Sequence, residues 1–353
     1  MHPNRKPQLV AIGVTLVCLL FTGLLPTPGL VTTAHAESVR GTEAVAFEEF
    51  TPASRIAIRE GLAALARMQN SDGSFSGRSY SRHVGITAIA CMAFLAQGST
   101  PGRGPYGDQV ERGLDFILKH ATESGLLAGP DTSHGPMYGH GFAALFLGEV
   151  YGMTKDQRLR EPLLKAVRLI VKSQNPQGGW RYHPLPYDAD ISVTICQVMA
   201  LRSARNAGIS VPKETIDAAI RYVKNCQNPN DGGFRYMISS GSSAFPRSAA
   251  GVAALFYAGI YDGEEVSKGL AYLDRVTRSG NNSGHFWYGH YYCVQAMFQA
   301  GGEHWANYFP KIRDQLVRDR NPSGGWNGND AYATGMALII LQMPNRLKPI
   351  FQR

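Results

Sequence analysis

The chain reads as an all-α protein, an (α/α)6 toroid of six inner and six outer helices preceded by a signal peptide. Three observations predict this fold. A short loop recurs six times, its apolar or aromatic anchor falling at Phe75, Leu127, Trp180, Phe234, Phe286 and Trp326. Each loop follows an amphipathic helix. Each precedes a helix that is apolar or small nearly all round. The spacing is about 50 residues, the mark of a repeat architecture.

The clearest loops are Gln69-Asn-Ser-Asp-Gly-Ser-Phe75, Gln174-Asn-Pro-Gln-Gly-Gly-Trp180, Gln227-Asn-Pro-Asn-Asp-Gly-Gly-Phe234 and Asn321-Pro-Ser-Gly-Gly-Trp326, with weaker copies around Gly125-Leu-Leu127 and Ser283-Gly-His-Phe286. The helices before them include Thr51–Gln69, Leu159–Gln174 and Lys213–Gln227. In the last of these, Ile216, Ile220 and Val223 recur at i, i+4 and i+7, while Lys213, Asp217, Arg221 and Lys224 take the other face. That is the pattern of a solvent-facing helix. Asn-Pro then stops it, because proline lacks a backbone donor and restricts the residue before it. The helices after the loops, Val84–Gln97, Gly141–Val150, Ile191–Arg202, Ala249–Ala258, Tyr291–Ala300 and Ala331–Leu341, have no polar face and must be buried on every side. Six such pairs bury their inner helices by closing into a ring, which needs no polar capping repeat.

The first 36 residues lie outside this pattern. Arg5 and Lys6 precede an apolar stretch from Leu9 to Leu25, and Ala34-His-Ala36 offers small residues for cleavage. This is the grammar of a secretory signal peptide cleaved after Ala36, leaving residues 37–353 as one toroid, secreted or periplasmic, with no membrane span after cleavage. Loss of Arg5 and Lys6 takes the 35 basic residues to 33 against 27 acidic ones, so the net charge falls from +8 to +6. The excess is spread over helix faces, which excludes a nucleic-acid footprint. Four cysteines remain, Cys91, Cys196, Cys226 and Cys293, none in a close-spaced metal pattern. No metal site or cofactor is expected. Zinc or another divalent ion would need His83, Asp190 and His290 to meet, and no ligand spacing supports that.

In a ring, residues just before the inner helices converge on the central cavity. That position gives Arg82 and His83, Tyr138 and His140, Asp188 and Asp190, Arg247, then Tyr288, His290 and Tyr291, and finally Asp330 and Tyr332. Polar groups converging on a cavity make the default ligand site. Each aspartate also sits where a helix takes a cap, and each histidine is equally readable as a hydrogen-bonded core residue.

The Gln…Gly-Gly-Trp/Phe loops resemble the QW-type repeats of the prenyltransferase and squalene cyclase superfamily, over Thr51–Met343. The resemblance implies a toroid in which Gln69, Gln174, Gln227 and the aromatic anchors tie helices together. It also implies an isoprenoid or other lipid in a hydrophobic central cavity. Asp188-Ala-Asp190-Ile-Ser192 looks like the Asp-x-Asp-Asp signature of class II terpene cyclases, which makes Asp190 the acid, Asp188 its neighbour and His290 a further catalytic candidate; Ile191 stands where the signature has its third aspartate. The Asp-x-Cys zinc pair of protein prenyltransferases is absent. Secreted (α/α) toroids also include polysaccharide lyases and glycoside hydrolases. An aromatic rim (Tyr138, Trp180, Tyr182, Tyr187, Phe245, Phe286, Trp287, Tyr288), Arg82 and Arg247 for a carboxylate, and Asp190 with Asp330 as an acid/base pair suit an acidic glycan. A non-catalytic binding or scaffold toroid is the third reading. The sequence fixes neither the oligomeric state nor whether the rim is catalytic.

Overall fold

Why the loops recur is visible in what their glutamines hold. Gln69 Nε2 donates to Gly73 O (2.9 Å) and Gln109 O (2.8 Å), Gln174 Nε2 to Gly178 O (2.8 Å) and Thr215 O (2.9 Å), and Gln227 Nε2 to Gly232 O (2.9 Å) and Glu265 O (2.8 Å). Each amide closes its own loop and grips the start of the next outer helix. Leu127 is wholly buried and Phe286 half-buried, and the anchors Phe75, Trp180, Phe234 and Trp326 are wholly buried. Their backbone N–H groups donate to a hydroxyl one turn into the following inner helix: Phe75 to Thr87, Trp180 to Thr194, Phe234 to Ser248 and Trp326 to Thr334. Trp180 Nε1 and Trp326 Nε1 reach back to Ile170 O and Leu316 O on the preceding outer helix. The structural role expected for these residues follows from hydrogen bonds that bridge three helices at once.

The structure, a computed structural model, describes residues 49–346 apart from 130, 131, 133, 134, 281–283 and 329. The segment expected to be a signal peptide lies outside the described residues. Twelve α-helices and no strand are found among the described residues: α1 Pro52–Arg67, α2 Val84–Ala96, α3 Gly107–Lys119, α4 Met137–Thr154, α5 Arg160–Ser173, α6 Ile191–Asn206, α7 Lys213–Cys226, α8 Phe245–Tyr257, α9 Glu264–Ser279, α10 Phe286–Ala300, α11 Gly302–Arg318 and α12 Ala331–Leu341. None is long and apolar enough to cross a membrane.

The even-numbered helices form the inner ring. Each packs on the inner helix before and after it, and α12 packs back on α2, so the ring is closed. Gln342 Nε2 donates to Ala93 O (3.1 Å) and Arg67 Nη2 to Ser323 O (3.1 Å) across that seam. Every residue of α2 is buried, as is every residue of α12 but Tyr332. The outer helices bury one stripe. In α7 it runs Thr215, Ala219, Tyr222, Val223 and Cys226, turned one residue from the Ile216–Ile220–Val223 stripe expected, because Tyr222 fills the space under the Gly-Gly loop. The four cysteines are buried free thiols.

Three inner helices begin earlier than expected. α4 starts at Met137, not Gly141; α8 at Phe245, not Ala249; α10 at Phe286, not Tyr291. Their first residues are apolar and none has a side-chain cap. Where a capping side chain exists, at His83, Asp190 and Asp330, the expected start is the observed one.

Gln227→Glu isolates the donor without changing shape. A carboxylate cannot give protons to Gly232 O and Glu265 O, so two carbonyls lose their partner at about 1 kcal/mol or more each. Urea unfolding should show a loss of about 2 kcal/mol. An unchanged midpoint would remove the bridging role from this glutamine.

Candidate active site in the central cavity

All six repeats send residues to one cavity of about 850 Å³ at the N-terminal ends of the inner helices. Its floor is apolar, with Ile86, Ile89 and Phe142. Its wall carries Tyr80, Tyr138, Tyr182, Tyr236, Tyr288 and Tyr332. Its polar members include His83, Asp330, Arg78, Arg247, Ser192 and His285. The cavity lining is mainly apolar, as expected, with these polar groups set among the tyrosine rings.

Of the residues expected at the rim, His83, Tyr138, Arg247, Tyr288, Asp330 and Tyr332 line the cavity. Arg82, Asp188, Asp190, His140, His290 and Tyr291 do not. Arg82 points out to Asp72 at 3.5 Å, and Asp188 pairs with Arg181 on the half-exposed outer side. Asp190 caps its helix as expected but is buried behind the lining, whereas the displacements of His140, His290 and Tyr291 follow from the earlier helix starts, which place them deeper in the wall. His140 lies four residues after the α4 cap, where other repeats have Thr or Ser, and its Nδ1 accepts the N–H of the anchor Leu127 (3.1 Å). Wholly buried, its pKa is pushed down to about 4, so it is neutral and structural. His290 faces outward, hydrogen-bonded to Tyr308 of α11 at 2.7 Å, and burial lowers its pKa to about 3. Tyr291 is fully buried beneath Phe142. His83, Asp190 and His290 thus occupy separate environments, and no group of three His, Cys, Asp or Glu that could hold a metal is found among the described residues.

Two aspartates cap helices and do more. Asp330 Oδ1 accepts the N–H of Tyr332 (2.8 Å) and Ala333 (3.3 Å), and Oδ2 that of Arg78 (3.2 Å), while the side chain lines the cavity. Asp190 Oδ1 accepts the N–H of Ser192 (2.8 Å) and Val193 (2.9 Å). Its Oδ2 accepts the Tyr236 hydroxyl at 3.2 Å. Asp190 is fully buried, and desolvation raises its pKa to about 6 despite those bonds and the Arg181 guanidinium 3.8 Å away. Tyr236 is in turn hydrogen-bonded to Tyr182. Both rings lie under Arg181, whose guanidinium is 5.1 Å from the Tyr182 centroid and 5.8 Å from that of Tyr236.

Sequence reasoning missed Tyr236, Arg78, Tyr80 and His285. Tyr236 and Tyr182 stand two residues after the anchors of consecutive repeats, Phe234 and Trp180, and that shared register was the available signal. Arg247 has no ion-pair partner among the described residues, and its Nε is buried without a hydrogen bond. His285 enters α10 at φ 46°, ψ 53°, a left-handed conformation held at the cavity mouth.

No protein-family model matches the chain, and neither does any curated protein sequence. Solved structures do. An α-1,6-mannanase of glycoside hydrolase family 76 from Salegentibacter, bound to α-1,6-mannotriose, aligns with TM-score 0.64 at 11% identity over 82% of this chain and 98% of that one. The type II terpene cyclase MstE from Scytonema, bound to geranylgeranyl dihydroxybenzoate, aligns at 0.60 and 13%, covering 84% and 98%. A protein from Actinoplanes aligns at 0.57 and 15%, covering 83% and 99%. At such identities the likeness speaks for the fold alone: the chain is an α/α toroid.

Proposed function

We propose that the protein is an exported enzyme that binds an acidic oligosaccharide in its central cavity and hydrolyses it. The composition of the cavity wall carries this reading. Six tyrosines offer flat faces with a hydroxyl at the edge, which suits sugar rings, alternately apolar and polar, better than a uniformly apolar chain. Arg78 and Arg247 line the same space without an ion-pair partner among the described residues, so an anionic ligand finds charge not already neutralised. Asp330 belongs to the sixth repeat and Asp190 to the third, opposite sides of a closed ring of six, with Asp330 lining the cavity and Asp190 buried behind Tyr236. A carboxylate to activate water and an acid across from it is the arrangement that inverting hydrolysis of a glycosidic bond needs. The likeness to glycan-bound mannanases adds support. So does the leader, read as an export signal, since polymeric glycans lie outside the cell. The glutamine–glycine–aromatic loops support grouping the chain with prenyltransferase and squalene-cyclase-type repeats at the level of fold.

The test is calorimetry of the mature protein against oligouronides and neutral oligosaccharides of equal length, followed by assay of released reducing ends. Arg247→Met should weaken binding of the acidic ligand by about 10- to 100-fold, the worth of a charge-assisted hydrogen bond, and leave neutral sugars unchanged. Equal binding of both sugars by the wild type would refute the acidic class.

A second reading rests on Asp190 itself. A buried carboxyl holding its proton up to about pH 6, one hydroxyl behind a cavity whose floor is Ile86, Ile89 and Phe142, is suited to protonating an isoprenoid alkene through Tyr236. Tight binding of a polyprenyl compound, with no response to oligosaccharides, would favour it.

A further inference from the structure

The hydrolytic reading leaves a gap. Asp190 has no exposed surface, so its proton cannot pass directly to a ligand in the cavity. One oxygen accepts two backbone N–H groups, and the other, among the described residues, accepts the Tyr236 hydroxyl. Tyr236, unlike Asp190, lines the cavity.

We infer that Tyr236 is the catalytic acid of this site and that Asp190, behind it, is the positioning residue that stores and resupplies its proton. The inference rests on the glycan reading for its substrate and on the hydrogen-bonded chain for its geometry. With Asp190 ionised, Tyr236 donates to Oδ2 and its proton is turned away from the cavity. Protonation of Oδ2 reverses that hydrogen bond. The carboxyl then donates to the phenol oxygen, and the phenol proton is free to point toward Tyr182 or a ligand. In the reaction the glycosidic C–O bond breaks and the departing sugar oxygen takes the phenol proton. The phenol oxygen regains one from Asp190, which is left as carboxylate. Water, losing its proton to Asp330, forms the new C–O bond.

The groups around Asp190 allow such a cycle. Arg181 is the cation beside Asp190 among the described residues, and Asp188 pairs with it. The remaining titratable neighbours, Tyr138, Tyr222, Tyr288, Cys196 and Cys226, are held neutral because burial raises every one of them. The backbone keeps the pair in register: Ile191 N–H donates to Tyr236 O at 3.0 Å, tying the loop to the first residue of α6.

The first readout needs no substrate. With tyrosine labelled at the ζ carbon, Tyr236→Phe assigns one resonance. That resonance should move in a step with a midpoint at about pH 6, and the step should be absent from Asp190→Asn. A flat titration overturns the proposal. The second readout is kinetic. On an acidic oligosaccharide, Tyr236→Phe should lower kcat by about 10²-fold or more, the usual loss of a general acid, with Kd within about twofold of wild type. Asp190→Asn should erase the limb of the rate profile that falls as pH rises through about 6. Retention of kcat by Tyr236→Phe also overturns the proposal. A pH step in the resonance with no cleavage of any oligosaccharide supports the pair and refutes the substrate class.

Discussion

Gly178→Ala should cost more than 3 kcal/mol of stability, while Gly208→Ala, at nearly the same backbone angle, should cost about 1 kcal/mol. Both glycines lie in the left-handed region, at φ 98° and 97°. A side chain there is strained by about 1–2 kcal/mol whatever surrounds it. The surroundings differ completely. At Gly208 a Cβ would meet nothing within 4 Å, whereas at Gly178 it would stand 2.1 Å from the carbonyl oxygen of Ala218, on α7. That atom is backbone of a packed helix and cannot swing aside. The loop would have to lift from α7, and Gln174 would then lose its hold on Thr215 O, while Trp180 would leave a fully buried site. Loss of a buried aromatic alone is worth about 3–5 kcal/mol. Paired urea denaturation of the two variants separates strain from collision. Equal losses would show that the close approach of loop and helix is not what makes glycine necessary.

The same close approach recurs at Gly73, Gly125, Gly232 and Gly324, each against a carbonyl of the next outer helix. Gly324 meets Glu60 O of α1, so the last loop closes the ring by the contact that builds every other step. This is why the fold was legible. One steric rule repeated five times leaves the same glycine two residues before the anchor, and uniformly apolar helices between amphipathic ones leave the layers little choice. Even the weak copy at Gly125-Leu-Leu127 forms the full loop, because His140 supplies the acceptor that a Thr or Ser hydroxyl supplies elsewhere.

The site was legible in part, and three of the misplaced residues have a common cause. Counting back from an expected helix start identifies cavity residues only if the start is right. Asp190, Asp330 and His83 announce their helices with a capping side chain. Met137, Phe245 and Phe286 do not, since an apolar first turn looks like the loop's own anchor. An error of about one turn carries the reading along the helix and past the cavity, and so His140, His290 and Tyr291 were taken for rim residues although they support the wall. Tyr236 escaped for another reason. It belongs to the end of the loop rather than the start of a helix, and only its equivalence with Tyr182 in the previous repeat marks it.

Asp190→Asn should stabilise the protein at pH 8 and not at pH 4. In the folded chain desolvation holds the Asp190 pKa near 6, above the unfolded value of 3.8. A carboxyl whose pKa rises on folding binds its proton more tightly in the native state. Its favourable contribution is therefore complete below about pH 3.8 and is lost as pH rises through 6. Above that, ionised Asp190 opposes folding by about 3 kcal/mol relative to its protonated form, at 1.36 kcal/mol per pKa unit. Asparagine avoids this without breaking the local structure. Its carbonyl can accept the same N–H groups of Ser192 and Val193, since Asn caps a helix as well as Asp does, and its amide can donate to Tyr236. Thermal or urea unfolding at the two pH values should show a gain of up to about 3 kcal/mol at pH 8 and little change at pH 4. A loss at pH 8 would mean that Arg181 and the backbone donors outweigh desolvation, and Asp190 would then be a cap and a structural anion. A gain has a direct functional meaning. A buried carboxylate that opposes folding at neutral pH, where a neutral isostere fits, is the stability–activity conflict expected of a residue kept for its proton.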